Sequence, residues 1–264
     1  MVSEYLEHNL VKPNSIEMRD YQTSLASQAK TQNSLVVLPT GLGKTTIALQ
    51  VILDILSQKN GGVLFLAPTR VLVNQHFEFL KEHVLLDDIG IVTGEDLIPK
   101  RKKSWVNSIV CATPEITRND LQRGIVPHEQ FSLVVFDEAH RAVGDYAYTS
   151  IAANFSSNVL FLAMTATLPS DKQKADEIVK SLRINSVLQK TDESPDVKPY
   201  IQETKTEWIN VELPLEMKAV QTCLKLALDE RYTQLRKSGI QISIENKSLS
   251  ALLRVRQYVL TQNR

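Results

Sequence analysis

The chain has 264 residues, of which 43% are hydrophobic and 23% are charged, and its formal net charge is zero. This length allows one large domain, or one domain and part of another, with the composition of an ordinary soluble globular protein. The balanced charge excludes a uniformly basic nucleic-acid binder, and no apolar run is long enough to predict a membrane span.

The N-terminal segment contains the first predicted helix. Residues 1–15 have no basic start followed by an apolar core, so no signal peptide is predicted. Asn14 with Glu17 three residues later predicts a capping box, and the helix that it begins is expected to contain Tyr21 and Leu25.

Six short apolar runs follow, and helical patterns separate most of them. Each run has four or five residues without polar alternation, which is typical of strands that are covered on both faces. The sequence therefore predicts an α/β fold, with a parallel sheet that has helices on both faces and binds its ligand at the carboxyl ends of the strands. The predicted strands are 35–38, 63–67, 89–92, 108–112, 133–136 and 159–163.

Two further helix ends are predicted in the same region. Ser170 with Gln173 has the spacing of a second capping box. Gly124 is expected to end the helix that begins near Pro114, because glycine readily adopts the left-handed conformation that follows many helices.

The loop after the first predicted strand, PTGLGKT, has the pattern of a phosphate-binding loop. The usual pattern has glycine where this chain has Leu38, but Leu38 stands at the strand end, before the turn. Glycines in the turn let successive N–H groups point at an anion, and the helix expected to begin at Lys44 adds its positive end. Lys44 is expected to reach the β and γ phosphates, and the hydroxyl of Thr45 to coordinate Mg²⁺. The candidate nucleotide-binding residues of this loop are Thr40, Gly41, Leu42, Gly43, Lys44, Thr45 and Thr46.

An acidic pair, Asp137 and Glu138, directly follows the predicted buried strand 133–136. Two adjacent carboxylates at the end of a buried strand are costly without a cation, which predicts that Asp137 holds Mg²⁺ through water. Glu138 is predicted to orient and deprotonate an attacking water. Together with the phosphate-binding loop, this pair predicts an ATPase site.

The segments PTGLGKT, DEAH (137–140) and TAT (165–167), in this order and spacing, resemble the first RecA-like domain of superfamily 2 helicases. The segments RDYQ (19–22), APTRVLVNQ (67–75), TGE (93–95) and ATPE (112–115) extend this resemblance over nearly all of the first 200 residues. The flanking segments VKPNSIEMRDYQ and ESPDVKPYIQETKTEWINVELP look like those of archaeal Hef proteins and their Fanconi anaemia M type relatives, which act on branched DNA.

The resemblance implies roles for single residues. Gln22 would bind the adenine edge, with Arg19 or Tyr21 packed nearby. His140 and the hydroxyls of Thr165 and Thr167 would couple the nucleotide site to the nucleic-acid groove. The residues implied to hold the sugar-phosphate backbone are Thr69, Arg70, Thr93, Gly94 and Thr113.

The resemblance also implies what the domain works with. ATP and Mg²⁺ are the implied cofactors, and the implied partners are branched, single-stranded or duplex DNA and a second RecA-like domain of a longer chain. No membrane partner is implied, and the implied location is the interior of an archaeal cell. The resemblance leaves the oligomeric state open.

The character of the chain changes beyond Thr191. A polar segment with two prolines, 191–200, predicts a connector, KTEWINVELP (205–214) predicts one more strand, and 215–264 has a helical pattern with nine basic and four acidic residues. By the resemblance, 1–200 is a first RecA-like domain, and 201–264 is a linking strand followed by the truncated start of a helical insertion domain that grips duplex.

The arginines that a second RecA-like domain supplies to the ATP site have no counterpart here, because the chain contains no Gly-Arg pair. An arginine finger contributes roughly a thousandfold or more in turnover. The chain alone is therefore expected to bind Mg-ATP weakly and to turn it over slowly.

Three functions agree with these observations. The first is the front half of an ATP-driven DNA helicase or translocase, the second an RNA-directed relative of the antiviral-sensor or Dicer type, and the third a nucleotide-sensing scaffold module. Glu138 argues against the third, since a pure sensor needs no catalytic base.

Two smaller features complete the sequence. The basic cluster Lys100 to Lys103 faces either nucleic acid or only water. Cys111 and Cys223 lie far apart without metal-type spacing, and they are expected to be reduced core residues of a cytosolic protein.

Overall fold

A computed structural model describes residues 5–58, 61–201 and 207–238, together with Leu253 and Arg256. The chain divides into two compact units, Met1–Glu203 and Thr204–Arg264. None of the helices in the described part has both the length and the apolar character needed to cross a bilayer.

The first unit contains a seven-stranded parallel sheet with the strand order β3-β4-β2-β5-β6-β1-β7. All six predicted strands are confirmed, and none of their ends differs by more than two residues from the prediction. The strands are β1 Ser34–Val37, β2 Gly62–Leu66, β3 Ile89–Val92, β4 Ile109–Ala112, β5 Phe131–Phe136, β6 Leu160–Thr165 and β7 Ser186–Gln189.

The seventh strand was missed because it lacks the apolar run of the others. It pairs with β1 at the edge of the sheet, and Leu188 is its only buried residue. An edge strand needs apolar residues on one face only, so its sequence carries a weaker signal than that of a central strand.

Helices cover both faces of the sheet, as predicted. Along β5 the side chains alternate between two buried clusters, with Val135 in the cluster that α1, α2 and α3 cover and Phe136 in the one that α5, α6 and α7 cover. Full burial of one such side chain contributes about 1.5–3 kcal/mol. The helices are α1 Asp20–Ala29, α2 Lys44–Ser57, α3 Arg70–His83, α4 Ile98–Ser104, α5 Pro114–Gln122, α6 Ala147–Asn154 and α7 Lys172–Ser181, with 3₁₀ turns at His128–Gln130, Ala139–Arg141 and Lys198–Tyr200.

The predicted capping box at Asn14 is wrong. The residue that precedes the first turn of α1 is Arg19, and Asn14 lies in a turn with a φ of +57°. The reason is that Glu17 forms an antiparallel bridge with Tyr5, and the carbonyl of Ile16 accepts a hydrogen bond from Leu6. The chain before α1 is therefore held in an extended conformation.

The other two predicted helix ends have opposite outcomes. Helix α7 is capped by Asp171, whose carboxylate accepts the N–H of Gln173 at 3.0 Å, so the capping box assigned to Ser170 is wrong by one residue. Gly124 is confirmed after the end of α5, where it has a φ of +64° and donates its N–H to Leu121 O.

The second unit contains one described helix, α8 Leu215–Lys237, which confirms the helical pattern over those residues. The predicted strand is wrong for 207–214, which have no strand conformation, and Trp208 there is 88% exposed. An extended segment becomes a strand only when a neighbour satisfies its backbone hydrogen bonds. Residues 205–206 of that predicted strand, and 239–264 apart from Leu253 and Arg256, lie outside the described residues.

The two cysteines differ in their surroundings. Cys111 is buried in β4, where desolvation raises the pKa of its thiol to about 12. Cys223 is exposed on α8, so its predicted place in a core is wrong. Both are free thiols, as expected.

Candidate active site

The phosphate-binding loop joins β1 to α2 in the conformation that its glycines predict. Gly41 and Gly43 have φ values of +82° and +78°, and α2 begins at Lys44. A Cβ at Gly43 would lie 2.2 Å from Nε2 of Gln22, so any side chain there would displace that amide. Leu38 is fully buried and donates its N–H to Thr165 O, so a residue of the core fills this position before the turn.

Lys44 extends over the start of this loop. Its ammonium donates to Leu38 O at 2.9 Å and to Pro39 O at 3.4 Å. Desolvation lowers the pKa of Lys44, while the negative charges of Glu138 and Asp137 act in the opposite direction. The ammonium, which carries three donors, therefore contacts the loop carbonyls and is within the electrostatic influence of the acidic pair.

Asp137 is buried at the carboxyl end of β5, and its backbone is held on both sides. Its N–H donates to Leu66 O at 2.9 Å, and its C=O accepts the hydroxyl of Tyr148 at 2.7 Å. Its carboxylate Oδ2 lies 2.8 Å from Nε2 of His76 on α3. The acid that the sequence singled out is thus fixed by three contacts, one from strand β2 and one from each of the helices α3 and α6.

Glu138 has a φ of +51°, in the left-handed region that few residues other than glycine adopt. Such a conformation is unfavourable by about 1–3 kcal/mol and is found most often at functional sites. Its carboxylate lies 3.2 Å from Nδ1 of His140, and this nitrogen also lies 3.0 Å from the hydroxyl of Thr165. The hydroxyl of Thr165 donates to Thr167 O at 2.9 Å, and the role implied for the hydroxyl of Thr167 stays a prediction.

Gln22 contacts the phosphate-binding loop directly. Its Nε2 donates to Leu42 O at 3.0 Å, and the hydroxyl of Tyr21 donates to the same carbonyl at 2.7 Å. Its Oε1 is buried and has no partner among the described residues. The guanidinium of Arg19 lies 5.0 Å from the ring centroid of Tyr200. A buried amide acceptor without a donor fits the amino group on an adenine edge.

A family model described as DEAD/DEAH box helicase matches residues 19–175. The chain belongs to the DEAD/DEAH box helicase family. The solved structure of the Pyrococcus furiosus Hef helicase domain superposes with a TM-score of 0.73 at 36% identity, covering 96% of this chain and 55% of that one. The RecA-like fold and the resemblance to Hef are thereby confirmed.

Three curated proteins are also similar to this helicase domain. The putative ATP-dependent RNA helicase MJ1505 of Methanocaldococcus jannaschii is 38% identical over 94% of this chain and 32% of its own length. The ATP-dependent DNA helicase MPH1 of Saccharomyces cerevisiae is 34% identical over 94% of this chain and 26% of its own length. The Fanconi anemia group M protein homolog of Mus musculus is 35% identical over 80% of this chain and 11% of its own length. The chain thus spans about a third or less of each relative.

The strand order divides the residues of this helicase domain into two groups along one edge of the sheet. The neighbouring strands β5, β6 and β1 have at or after their carboxyl ends Asp137, Thr165 and Lys44, in that order. The loops after β3, β4 and β2, also neighbours, carry the residues implied to hold a nucleic-acid backbone. We call these the nucleotide edge and the backbone edge, and they meet where β5 pairs with β2.

The candidates of the backbone edge make mostly local contacts. The hydroxyl of Thr69 caps α3 by accepting the N–H of Leu72 at 3.3 Å. Thr93 donates both its N–H and its hydroxyl to Asp96. Arg70 forms an ion pair with Glu95 that joins two of the loops. The other two candidates stand at loop positions, Gly94 after β3 and Thr113 directly before α5.

The basic cluster 100–103 has members with different surroundings. Arg101 is buried, and its Nε and Nη2 donate to Asp120 at 2.8 and 2.9 Å. The hydrogen bonds and charge of Asp120 raise the pKa of Arg101. Lys100 pairs with Asp96, whereas Lys102 and Lys103 are exposed. Arg101 therefore acts in the structure of the domain.

Two residues that contact the acidic pair were missed by sequence reasoning. His76 shares the buried face of α3 with Val73 and Leu80, and a histidine among apolar positions was the available signal. Tyr148, which bonds to Asp137 O, lies in α6 without any motif around it. No local pattern could have connected it to the site.

Proposed function

We propose that this chain is the ATP-binding part of an ATP-driven DNA helicase or translocase that acts on branched DNA such as a replication fork. The observation that carries the proposal is the convergence of Lys44, the acidic pair and the His140–Thr165 contact at three neighbouring strand ends. Phosphoryl transfer that drives movement along DNA requires a positively charged loop, a carboxylate pair and a link between the two.

The residues of the nucleotide edge would divide the chemistry among them. The amides of the loop and the ammonium of Lys44 would hold the phosphates of ATP, and Thr45 with Asp137 would hold Mg²⁺. Mg²⁺, when bound, neutralises charge on the phosphate oxygens. Glu138 would take a proton from the attacking water, and its contact with His140 connects that base to Thr165.

His140 and Thr165 would couple this site to the neighbouring backbone edge. Their hydrogen bond joins the segment after β5 to the carboxyl end of β6, so a shift of either changes the surroundings of Glu138. The residues Thr69, Arg70, Thr93, Gly94 and Thr113 would contact phosphates and sugars. Hydroxyls and loop amides suit such contacts, which position a strand without selecting its sequence.

DNA is favoured as the substrate by the flanking segments that are similar to Hef and by the DNA helicase MPH1 among the relatives. An RNA substrate is the second candidate, because the relative MJ1505 is described as an RNA helicase. Since the chain covers only part of these proteins, the substrate has to be measured directly. We further propose that Mg-ATP turnover by this chain alone is slow, because a second domain supplies the arginines that complete the site.

The deciding experiment measures ATP hydrolysis by the full-length protein with a forked DNA, a linear DNA duplex and a double-stranded RNA of matched length. We expect the fork to stimulate most, and the Lys44→Ala variant to abolish the signal from every substrate. Stronger stimulation by RNA would support the second candidate. Nucleotide binding without hydrolysis under any condition would support a sensing module and contradict the proposed function.

A further inference from the structure

The contact between His76 and Asp137 joins the backbone edge to the nucleotide edge. His76 lies on α3, the helix that follows the backbone-edge loop with Thr69 and Arg70, and its Nε2 is 2.8 Å from Oδ2 of Asp137. The two side chains are only 8% and 9% exposed. A buried contact between two polar side chains from separate elements indicates a specific geometric requirement at this point.

The direction of the hydrogen bond follows from the chemistry of the two groups. An ionised carboxylate can only accept, so Nε2 of His76 must carry the proton and donate it to Oδ2. The second oxygen of Asp137, Oδ1, has no protein partner in the part of the chain that the structure describes. The bond therefore occupies one oxygen and leaves the other available.

The imidazole is itself fixed in place by packing. Its ring lies against Phe65 of β2, with ring centroids 4.4 Å apart and planes inclined by 36°. The backbone of Asp137 is held by Leu66 O and by the hydroxyl of Tyr148. With its backbone held, Asp137 could still rotate its side chain, and the hydrogen bond from His76 prevents this rotation.

We infer that His76 is a positioning residue for the Mg²⁺ site: it orients the Asp137 carboxylate so that Oδ1 faces the cation or its bound water. The inference rests on the proposed function, since it assumes that Asp137 holds Mg²⁺ beside a bound nucleotide. Hydrogen bonds to a ligating carboxylate commonly strengthen metal binding by about 10- to 100-fold. Helix α3 carries both Arg70, which belongs to the backbone edge, and His76.

The test compares nucleotide affinity with and without metal in this chain. Binding of a fluorescent ADP analogue is titrated in EDTA and again in Mg²⁺, and the ratio of the two Kd values gives the tightening due to Mg²⁺. We expect His76→Leu to leave the Kd in EDTA within about twofold and to reduce the Mg²⁺-dependent tightening by roughly tenfold. His83→Leu is the control, because His83 lies in the last turn of α3 and packs against Phe79.

A second pair of variants separates positioning from stability. Gln can place an amide N–H near the position of Nε2, whereas Asn is too short to reach Oδ2. We expect His76→Gln to retain the Mg²⁺-dependent tightening to within about threefold and His76→Asn to lose it, with both proteins folded by circular dichroism. This comparison remains decisive if the leucine variant does not fold.

The outcomes distinguish the inference from the proposed function. Equal Mg²⁺-dependent tightening in the wild type, His76→Asn and His76→Gln overturns the inference and leaves the proposed function intact. Equal loss in His76→Gln and His76→Asn also overturns it, because the hydrogen bond would then not be the feature that matters. A wild-type chain that binds no nucleotide in either condition contradicts the proposed function itself.

Discussion

The two edges of this helicase domain use their polar side chains differently. At the nucleotide edge, groups from separate elements contact one another, as in the His140–Thr165 and Gln22–Leu42 hydrogen bonds. At the backbone edge, Thr69 and Thr93 bond within their own loops, and the Arg70–Glu95 ion pair is exposed. Chemistry on a phosphate requires a fixed arrangement, whereas contacts with a flexible nucleic-acid strand tolerate exposed groups that adapt.

The largest effect expected from this comparison concerns the base. Glu138→Gln in the full-length protein should retain ATP binding and lower ATP turnover by roughly 100- to 10,000-fold, because an amide cannot accept the proton. Turnover is measured with saturating forked DNA, and binding with a fluorescent ATP analogue. Glu129→Gln, an exposed change in the 3₁₀ turn before β5, is the control. Undiminished turnover in the Glu138 variant would reject its role.

Lys44→Ala should behave differently from Glu138→Gln, because removal of the lysine should already weaken ATP binding. The ammonium contacts the phosphate-binding loop and is the cation expected to hold the phosphates, so ATP affinity and turnover should fall together. Lys174→Ala on α7 removes an exposed lysine of the same domain and should bind ATP normally. Normal ATP affinity in the Lys44 variant would contradict the assignment of the loop.

The next effect concerns the stability of the fold and tests the structural role of the buried Arg101–Asp120 pair. Asp120 is fully buried and accepts hydrogen bonds from Arg101 and Trp105. Asp120→Asn leaves a buried guanidinium without its counter-charge and should destabilise the fold by about 3–5 kcal/mol. Thermal unfolding measures this loss, with Asp196→Asn as control, since the Lys190–Asp196 pair is partly exposed and should contribute less than about 1 kcal/mol. Equal changes in Tm would contradict the structural role of Arg101.

A smaller effect tests the link between loops. Thr165→Val keeps the shape of the side chain but removes the hydroxyl between His140 and Thr167 O, so unwinding of a fork should fall by about tenfold, which corresponds to ~1.4 kcal/mol. ATP affinity should change less. The matched control is Thr31→Val, which changes an exposed threonine after α1 whose hydroxyl donates to Gln28 O, and it should unwind almost normally. Equal defects in the two variants would indicate that the hydroxyl bond is not the coupling element.

The smallest effect belongs to the exposed ion pair. Arg70→Gln should weaken fork binding several-fold at low salt and by less at high salt, because a phosphate contact is electrostatic. Fluorescence anisotropy at two salt concentrations measures it. Arg123→Gln serves as control, because Arg123 follows the C-terminal end of α5, away from the strand ends that carry the site. A salt-independent defect in the Arg70 variant would point to a structural cause.

Much of this fold could be read from local patterns. Continuous apolar runs identified six strands, and the glycines at 41 and 43 identified a turn that ends where α2 begins. Helix starts were harder to predict: Asn14 has the chemistry of a cap but lies in a turn, and pairing between Glu17 and Tyr5 delays the start of α1 to Asp20. The strand predicted at 205–214 failed over its described part for a related reason, since strand formation depends on a neighbour as well as on composition.

The candidate site divides in the same manner. The chemical groups could be identified from the primary structure: they are Lys44 with two glycines and the carboxylates of Asp137 and Glu138, and each motif is contiguous with local chemistry. Which groups meet depends on the fold, because the strand order brings the ends of β1, β5 and β6 together and helix packing brings His76 and Tyr148 to Asp137. These contacts join residues far apart in the chain, and their geometry follows from the register of the sheet and the packing of helices upon it.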